Sequence, residues 1–413
     1  MTEAPDIEVE IARLGRHGDG VDASGAIFAP LTLPGERVAG RPDARGRIEA
    51  PRLLRASPDR VDPPCPAYGD CGGCQIMHAS DAFAARWKTD RIAAALAAHG
   101  LSAPLRPIAV SPPASRRRAV LSARRTRTGV LLGFHARRAD RLVPLPGCRV
   151  LRPEITAAAP ALSALAALAA SRRGELKLAV TATDGGLDVD LRGAPAPDGR
   201  TAAQAAALAG RAGWARLSWG AETLALARPP AVRFGRAAVT PPPGGFQQAT
   251  AEAEAVLAAA VAEALGPARR VADLFAGAGA FALRLAERAE VHAVDADAPA
   301  LAALSAGWRA AAGGLRRVTT ETRDLFRRPL LPAEFARLDG AVIDPPRAGA
   351  AAQAQALARA DLPRLAMVSC NPETFARDAR TLVDGGWRLD WVQPADQFRW
   401  SAHVELAAGF SRP

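Results

Sequence analysis

Three segments in the carboxyl half carry residue types that can do covalent chemistry together. Val368-Ser369-Cys370-Asn371-Pro372 ends an apolar run on a thiol, and Val342-Ile343-Asp344-Pro345-Pro346-Arg347 ends another on a carboxylate. Ser401-Ala402-His403-Val404-Glu405-Leu406 sets a second carboxylate among apolar neighbours. A thiolate that adds to an electron-poor ring carbon makes the neighbouring carbon nucleophilic, and a carboxylate can then take the proton whose loss lets the sulfur leave. Covalent catalysis of this kind splits one hard step into easier ones. The competing reading of Cys370 is a buried structural thiol, the usual fate of a lone cysteine. That of His403 and Glu405 is a pair of strand residues facing solvent. Placement of Cys370 and Asp344 on one sheet edge favours a nucleophile, and burial of Glu405 in an apolar strand raises its affinity for a proton.

The elements that must position these groups are regular. From residue 246 onward strands and helices alternate: a helix Ala251–Leu265, an apolar strand from Arg270 to Phe275, a second strand ending at Asp295, and later strands ending at Asp344 and Cys370. Polar residues at the carboxyl ends of successive strands mark where open α/β sheets hold ligands. The first strand runs into Asp273-Leu274-Phe275-Ala276-Gly277-Ala278-Gly279, and Asp295 lies 18 residues beyond Gly277. Gly277 and Gly279 allow close approach of backbone to a ligand, and a carboxylate after the second strand can hold both ribose hydroxyls. A dinucleotide fingerprint would need a third glycine, which is missing here; a merely structural glycine turn is the alternative. Upstream, residues 6–57 alternate as short strands, with Ile7, Val9 and Ile11 against Glu8 and Glu10, and suit a small five-strand barrel of OB type. Residues 58–245 form a middle region containing a helix from Asp81 and a hairpin over residues 177–192 around Asp184-Gly185-Gly186.

Composition narrows the partners. The 413 residues exceed one ordinary domain, so a barrel (1–57), a central domain (58–245) and a catalytic domain (246–413) are expected. The opening MTEAPDIEVE is acidic and polar, which argues against a secretory leader. The alanine-rich run Thr156 to Ser171 is too short to span a bilayer, so a cytoplasmic protein without membrane attachment is expected. Five cysteines, unevenly spaced, make no disulfide framework. The net charge is +11, and residues 101–150 hold eleven arginines and one aspartate. Concentrated positive charge is the footprint of phosphate binding, and Arg116, Arg117, Arg118, Arg124, Arg125 and Arg127 are its candidate RNA contacts. The alternative is a solvated surface on an arginine-rich protein.

The D-x-F-x-G-x-G turn resembles motif I of class I methyltransferases that use S-adenosylmethionine. Where amine-modifying members carry an aromatic after Asp-Pro-Pro, this chain has Arg347. A ring-carbon acceptor such as carbon 5 of uracil explains the thiol, since addition at carbon 6 activates carbon 5. Cys65-x5-Cys71-x2-Cys74, Cys148, Asp-Pro-Pro-Arg, Ser-Cys-Asn-Pro and His-Val-Glu together resemble the RNA 5-methyluridine methyltransferase family, more narrowly its iron–sulfur bacterial 23S ribosomal RNA branch. The match spans essentially the whole chain. It implies an α/β class I methyltransferase Rossmann-like domain, a TRAM-like OB barrel at the amino end, and a central α+β iron–sulfur and RNA-binding domain. It also implies Cys370 as nucleophile, Glu405 as proton acceptor, and Gln248, Phe275, Ala280, Asp295, Asp324 and Asp344 around the methyl donor. The expected substrate is RNA, 23S ribosomal ahead of transfer RNA, and the expected state a monomer.

Ligand chemistry alone leaves the set Cys65, Cys71, Cys74 and Cys148 open between zinc and an iron–sulfur cluster; the resemblance implies a 4Fe–4S cluster, placing Cys148 beside the other three. The chain also departs from the family. Ala280 and Thr250 stand where the family has asparagines, and Phe398-Arg399-Trp400-Ser401-Ala402-His403 replaces its Phe-Pro-x-Thr-x-His. A silent RNA-binding protein would need neither Cys370 nor Glu405, and a small-molecule transferase would need neither the barrel nor the arginine block.

Overall fold

The computed structural model describes residues 6–412 apart from 146, 172, 173, 221 and 312, so the acidic opening at residues 1–5 lies outside it. At the amino end, Ile7–Leu14 pairs with both Gly20–Asp22 and Arg37–Gly40, the centre of a five-stranded antiparallel sheet over residues 7–55. Ile11 is fully buried while Glu8 and Glu10 are exposed, as the alternation requires. The central region is a seven-stranded sheet built on the hairpin Leu176–Thr183 and Gly186–Arg192, with Arg118–Arg125 on its other flank. Helices Ala159–Ala169 and Gly199–Arg211 contribute Leu162, Leu165, Ala205 and Ala209 to its core.

The carboxyl half is an eight-stranded sheet in the order Val318–Thr322, Glu290–Asp295, Arg270–Leu274, Gly340–Ile343, Arg364–Ser369, Glu405–Ser411, Arg388–Asp396, Ala109–Val110. The first five strands are parallel. Glu405–Ser411 runs antiparallel between its two neighbours. Chain order reverses between Arg270–Leu274 and Gly340–Ile343, which makes that crevice the topological switch point where such sheets bind ligands. Helices cover both faces and two apolar cores result, one around Leu257 and Leu283, the other around Leu357 and Phe375. The helix Ala251–Leu265 forms at the expected residues, with the Thr250 hydroxyl accepting from the Ala253 amide at 3.2 Å as its cap.

The expected boundary at 245/246 does not coincide with a break in packing. Helix Asp81–Ala98 buries Ile92 and Leu96 in the same core as Phe375 and Leu382, and Ala109–Val110 is an edge strand of the catalytic sheet. The hairpin Val232–Phe234 and Ala237–Val239 packs into the other core. The unit built on the eight-stranded sheet is thus discontinuous, with the seven-stranded region interposed in the chain. No helix among the described residues is long and apolar enough to cross a membrane.

Candidate active site

Beyond Leu274 the chain turns sharply. Phe275 adopts φ of 63°, a left-handed conformation costly for a residue with a side chain, and its amide and that of Ala276 both donate to the Val294 carbonyl, at 2.9 and 3.2 Å. Gly277, at φ 53°, then donates its amide to Asp295 Oδ2 at 2.8 Å, while Asp295 Oδ1 accepts from the Asp297 amide at 2.8 Å. The acid is thereby fixed at the rim of a cleft of about 830 Å³. Gly279 does not line that cleft, contrary to expectation. A Cβ there would stand 2.7 Å from Leu304 Cγ, so this glycine serves helix packing. Gln248, Phe275, Gly277, Ala280, Asp295, Asp324 and Asp344 all line the cleft. The Asp324 carboxylate is braced by the Phe326 amide at 3.0 Å, and the Phe326 ring tilts against Phe275 with centroids 5.4 Å apart. Ala280 offers a backbone carbonyl already taken by Arg284 at 3.1 Å, and the hydroxyl of Thr250 bonds Ser111 Oγ at 2.7 Å.

Asp344, Cys370 and Glu405 meet on the same side of this cleft. Ser369 and Leu406 are cross-strand partners, so Cys370 and Glu405, one residue beyond each, emerge at one sheet edge. Burial pushes the Asp344 carboxyl up to about 7. Glu405 is 5% exposed; burial first and the Asp344 charge second raise it to about 8, while a hydrogen bond from Gln397 and the Arg347 guanidinium act the other way. The Cys370 thiol rises to about 12, through burial and then the charges of Glu405 and Asp344, again opposed by Arg347. Asp273, fully buried behind the turn, is held well above the ordinary carboxylate range by burial and by Asp344. His403, 3.4 Å from Arg347, is driven down to about 4 by burial and surrounding cations, so it is neutral at physiological pH. The Phe398 ring meets it edge-on at 5.7 Å and lies beneath the Arg116 guanidinium at 5.6 Å.

Sequence reasoning missed Gln397, which is 2% exposed. Its amide donates to Gln248 Oε1 at 2.6 Å and accepts from the Ala249 amide at 2.6 Å, and the side chain lines the cleft beside Glu405. A lone glutamine before an aromatic has no periodic or spacing signal. Gln75, in the cysteine loop, was also missed. The amides of Gln75 and Ile76 donate to the Trp400 carbonyl at 2.8 and 3.0 Å, and Gln75 Oε1 accepts from the Ala402 amide at 3.2 Å. Trp400 is buried at φ 64°, so this strained turn is held from the cysteine side.

Cys65, Cys71, Cys74 and Cys148 are free, half-buried thiols whose charges act on one another. Burial and then the charge of Cys148 push Cys74 up to about 12, and Cys71 is raised by burial and by Cys148 and Cys65. Another group of ligand type, His135, Asp140 and Glu175, is already neutralised by Arg124 and Lys177. The arginine block is mostly consumed internally: Arg106, Arg117, Arg124, Arg137, Arg138 and Arg141 all pair with acids. Arg117, by contrast with its expected place among the RNA contacts, is 7% exposed and bound to Glu254 and to the Gln248 carbonyl. Arg124 is paired, whereas Arg116 and Arg118 line the cleft and Arg125 and Arg127 stand exposed near a hairpin tip.

Residues 242–412 match the family model described as tRNA (Uracil-5-)-methyltransferase. A Brucella suis protein named as an uncharacterized RNA methyltransferase is 44% identical over 99% of this chain and 98% of its own. The Chromohalobacter salexigens 23S rRNA (uracil(1939)-C(5))-methyltransferase RlmD is 34% identical over 96% of this chain and 87% of its own. Among solved structures, the Pyrococcus abyssi tRNA (uracil-54, C5)-methyltransferase with S-adenosyl-L-homocysteine superposes with a TM-score of 0.75 at 20% identity, covering 98% of this chain and 99% of that one. That likeness establishes a shared fold.

Proposed function

This chain belongs to the RNA uracil-5 methyltransferase family, and from that premise we propose that it transfers a methyl group from S-adenosylmethionine to carbon 5 of a uridine in 23S ribosomal RNA. The observation that carries the reading is the meeting of Cys370, Glu405 and Asp344 in one cleft with the Asp295 turn. The donor's ribose suits the Asp295 carboxylate, and the tilted pair Phe275 and Phe326 offers its adenine an apolar wall. Cys370, its proton passed to solvent, adds as thiolate to carbon 6 of the uracil, and the electron pair displaced toward carbon 5 forms the bond to the incoming methyl as the methyl–sulfonium bond breaks and S-adenosylhomocysteine leaves. Glu405, acting in its ionised form, then removes the carbon-5 proton, the double bond reforms, and Cys370 leaves as thiolate. With its thiol near 12, Cys370 rests protonated; Arg347 is the cation that counters the repulsion between thiolate and carboxylates. The target uridine has to leave its stack to reach a thiol this deep, so an RNA loop suits the site better than a duplex.

The chemistry of four free thiols fits a 4Fe–4S cluster, which Cys65, Cys71, Cys74 and Cys148 would hold. When bound, the cluster supplies a rigid cross-link between the cysteine loop and the basic hairpin; the methyl transfer needs no electron from it. The full-length relative named for 23S rRNA and this cysteine set favour the ribosomal substrate. In the same reading the amino-terminal sheet is a TRAM-like module that grips RNA beside Arg116, Arg118, Arg125 and Arg127, and the enzyme works as a cytoplasmic monomer.

The test is nucleoside mass spectrometry after incubating undermethylated ribosomal RNA, and separately transfer RNA, with S-adenosylmethionine and the protein or its Cys370→Ala variant. New 5-methyluridine in ribosomal RNA from the wild type alone is expected. Product from the variant would remove Cys370 as nucleophile, and product only in transfer RNA would reassign the substrate.

A further inference from the structure

The chain contains 53 basic side chains, of which only Lys88 and Lys177 are lysines, and Lys88 is completely buried. It projects from helix Asp81–Ala98, which lies in sequence far from every motif of the active site. Its ammonium sits 2.6 Å from Asp396 Oδ2 and donates to the Phe398 carbonyl at 3.1 Å. The same helix face continues the grip. Asp81 accepts from Arg399 at 2.5 Å, and Arg91 donates to the Ala402 carbonyl. Positions 81, 88 and 91 are spaced by seven and three residues and therefore share one side of the helix. Four residues of the segment 396–402 are thus held by three side chains of a single helix.

That segment leads directly into the base. Asp396 receives Lys88 on one oxygen and caps the Phe398 amide with the other at 3.0 Å. The next residue, Gln397, donates to Gln248, accepts from the Ala249 amide and lines the cleft with Glu405, while Ala395, the residue before Asp396, is the cross-strand partner of Glu405. A buried ion pair adds little net stability over apolar side chains of the same volume, so what it orients is the better account of a charge at this depth. The residue type fits as well, because two acceptors suit a compact ammonium, whereas a planar guanidinium would bring five donors to them.

Resting on the reaction assigned above, we propose that Lys88 is a positioning residue for the proton-abstraction step, acting through Asp396 and Gln397 to aim the Glu405 carboxylate at carbon 5. Its loss therefore slows one chemical event, the transfer of the carbon-5 proton to Glu405 that precedes cleavage of the Cys370–carbon 6 bond. Addition of sulfur and methyl transfer proceed, and the methylated protein–RNA adduct builds up.

The experiment compares wild type, Lys88→Met, Lys88→Arg and Glu405→Gln on RNA tritiated at carbon 5. It follows tritium release, 5-methyluridine, and protein–RNA adduct surviving a denaturing gel. Lys88→Met is expected to lower tritium release at least tenfold while adduct accumulates as it does in Glu405→Gln, with Lys88→Arg recovering part of the release. Asp396→Asn, which keeps the cap on Phe398 but removes the charge, is expected to show the same pattern more weakly and serves if Lys88→Met does not fold. Loss of product with no adduct in the Lys88→Met or Asp396→Asn variant, while Glu405→Gln accumulates it, would reduce Lys88 to a structural residue and overturn the proposal. So would turnover equal to wild type. Absence of adduct from Glu405→Gln itself would bring down the covalent reading, and the proposal with it.

Discussion

Replacing Glu405 should make the protein more stable, by an amount that depends on pH. Glu405 is 5% exposed, and burial with the nearby Asp344 charge lifts its pKa from 4.5 to about 8. In the unfolded chain the residue titrates at its ordinary value. Between those two values the folded state binds a proton that the unfolded state releases, so stability falls as pH rises through the window and is level above about 8. Each unit is worth about 1.4 kcal/mol, which makes the loss on the order of 3 kcal/mol at pH 7 and 4 to 5 kcal/mol above pH 8. Glutamine keeps the shape and a hydrogen-bonding oxygen but never ionises. The Glu405→Gln variant should therefore melt close to wild type near pH 5 and pull ahead as pH rises. At about 2 to 4 °C per kcal/mol the gap at pH 9 is roughly 10 °C. Scanning calorimetry of both proteins at pH 5, 7 and 9 reads this directly. A gap that stays constant across that range, or a wild type that melts higher at pH 9, would refute the claim that the folded site raises Glu405.

Three further outcomes are expected. Arg117→Ala, which strips a buried partner from Glu254 while leaving Arg284 in place, should cost about 3 kcal/mol in urea unfolding, whereas exposed Arg127→Ala should leave the unfolding curve unchanged. In RNA binding titrated against salt the order reverses, with Arg127→Ala reducing the slope of log affinity on log salt by about 0.7. Asp295→Ala removes the acceptor of the Gly277 and Asp297 amides and should raise the Kd for S-adenosylmethionine roughly 10- to 100-fold by calorimetry, with RNA affinity unchanged. Cys74→Ser should lower bound iron by elemental analysis and loosen the Trp400 turn, seen as faster amide exchange at residues 400–405.

What could be read from the sequence was local. The helix capped by Thr250, the hairpin around Gly185 and the strand ends at Asp295, Asp344 and Cys370 each announce themselves through periodicity or a turn within a dozen residues. The active-site edge was legible for the same reason, since parallel strands align their carboxyl ends whatever their order. Long-range pairing was not. Nothing in Ala109–Val110 indicates that it joins a sheet with Arg388–Asp396, and nothing near Lys88 points to Asp396. The arginine block misleads in the same way. Net charge counts side chains, and only folding reveals that Glu254, Glu263, Asp19 and Asp70, all remote in sequence, neutralise much of it. Gly279 shows a related limit, because a glycine needed against Leu304 is indistinguishable in sequence from one needed against a ligand.

The strand Glu405–Ser411 fills the space between Arg364–Ser369 and Arg388–Asp396, both of which precede it in the chain. During synthesis those two strands emerge with a gap between them, and the edge strand Ala109–Val110 waits nearly three hundred residues for the partner that gives it a place. The segment that finally closes the sheet also begins with Glu405. Completion of the sheet and arrival of the proposed base are therefore one event. A nascent or truncated chain lacking that strand has an open sheet and, under the proposed mechanism, no group to release a uridine from Cys370.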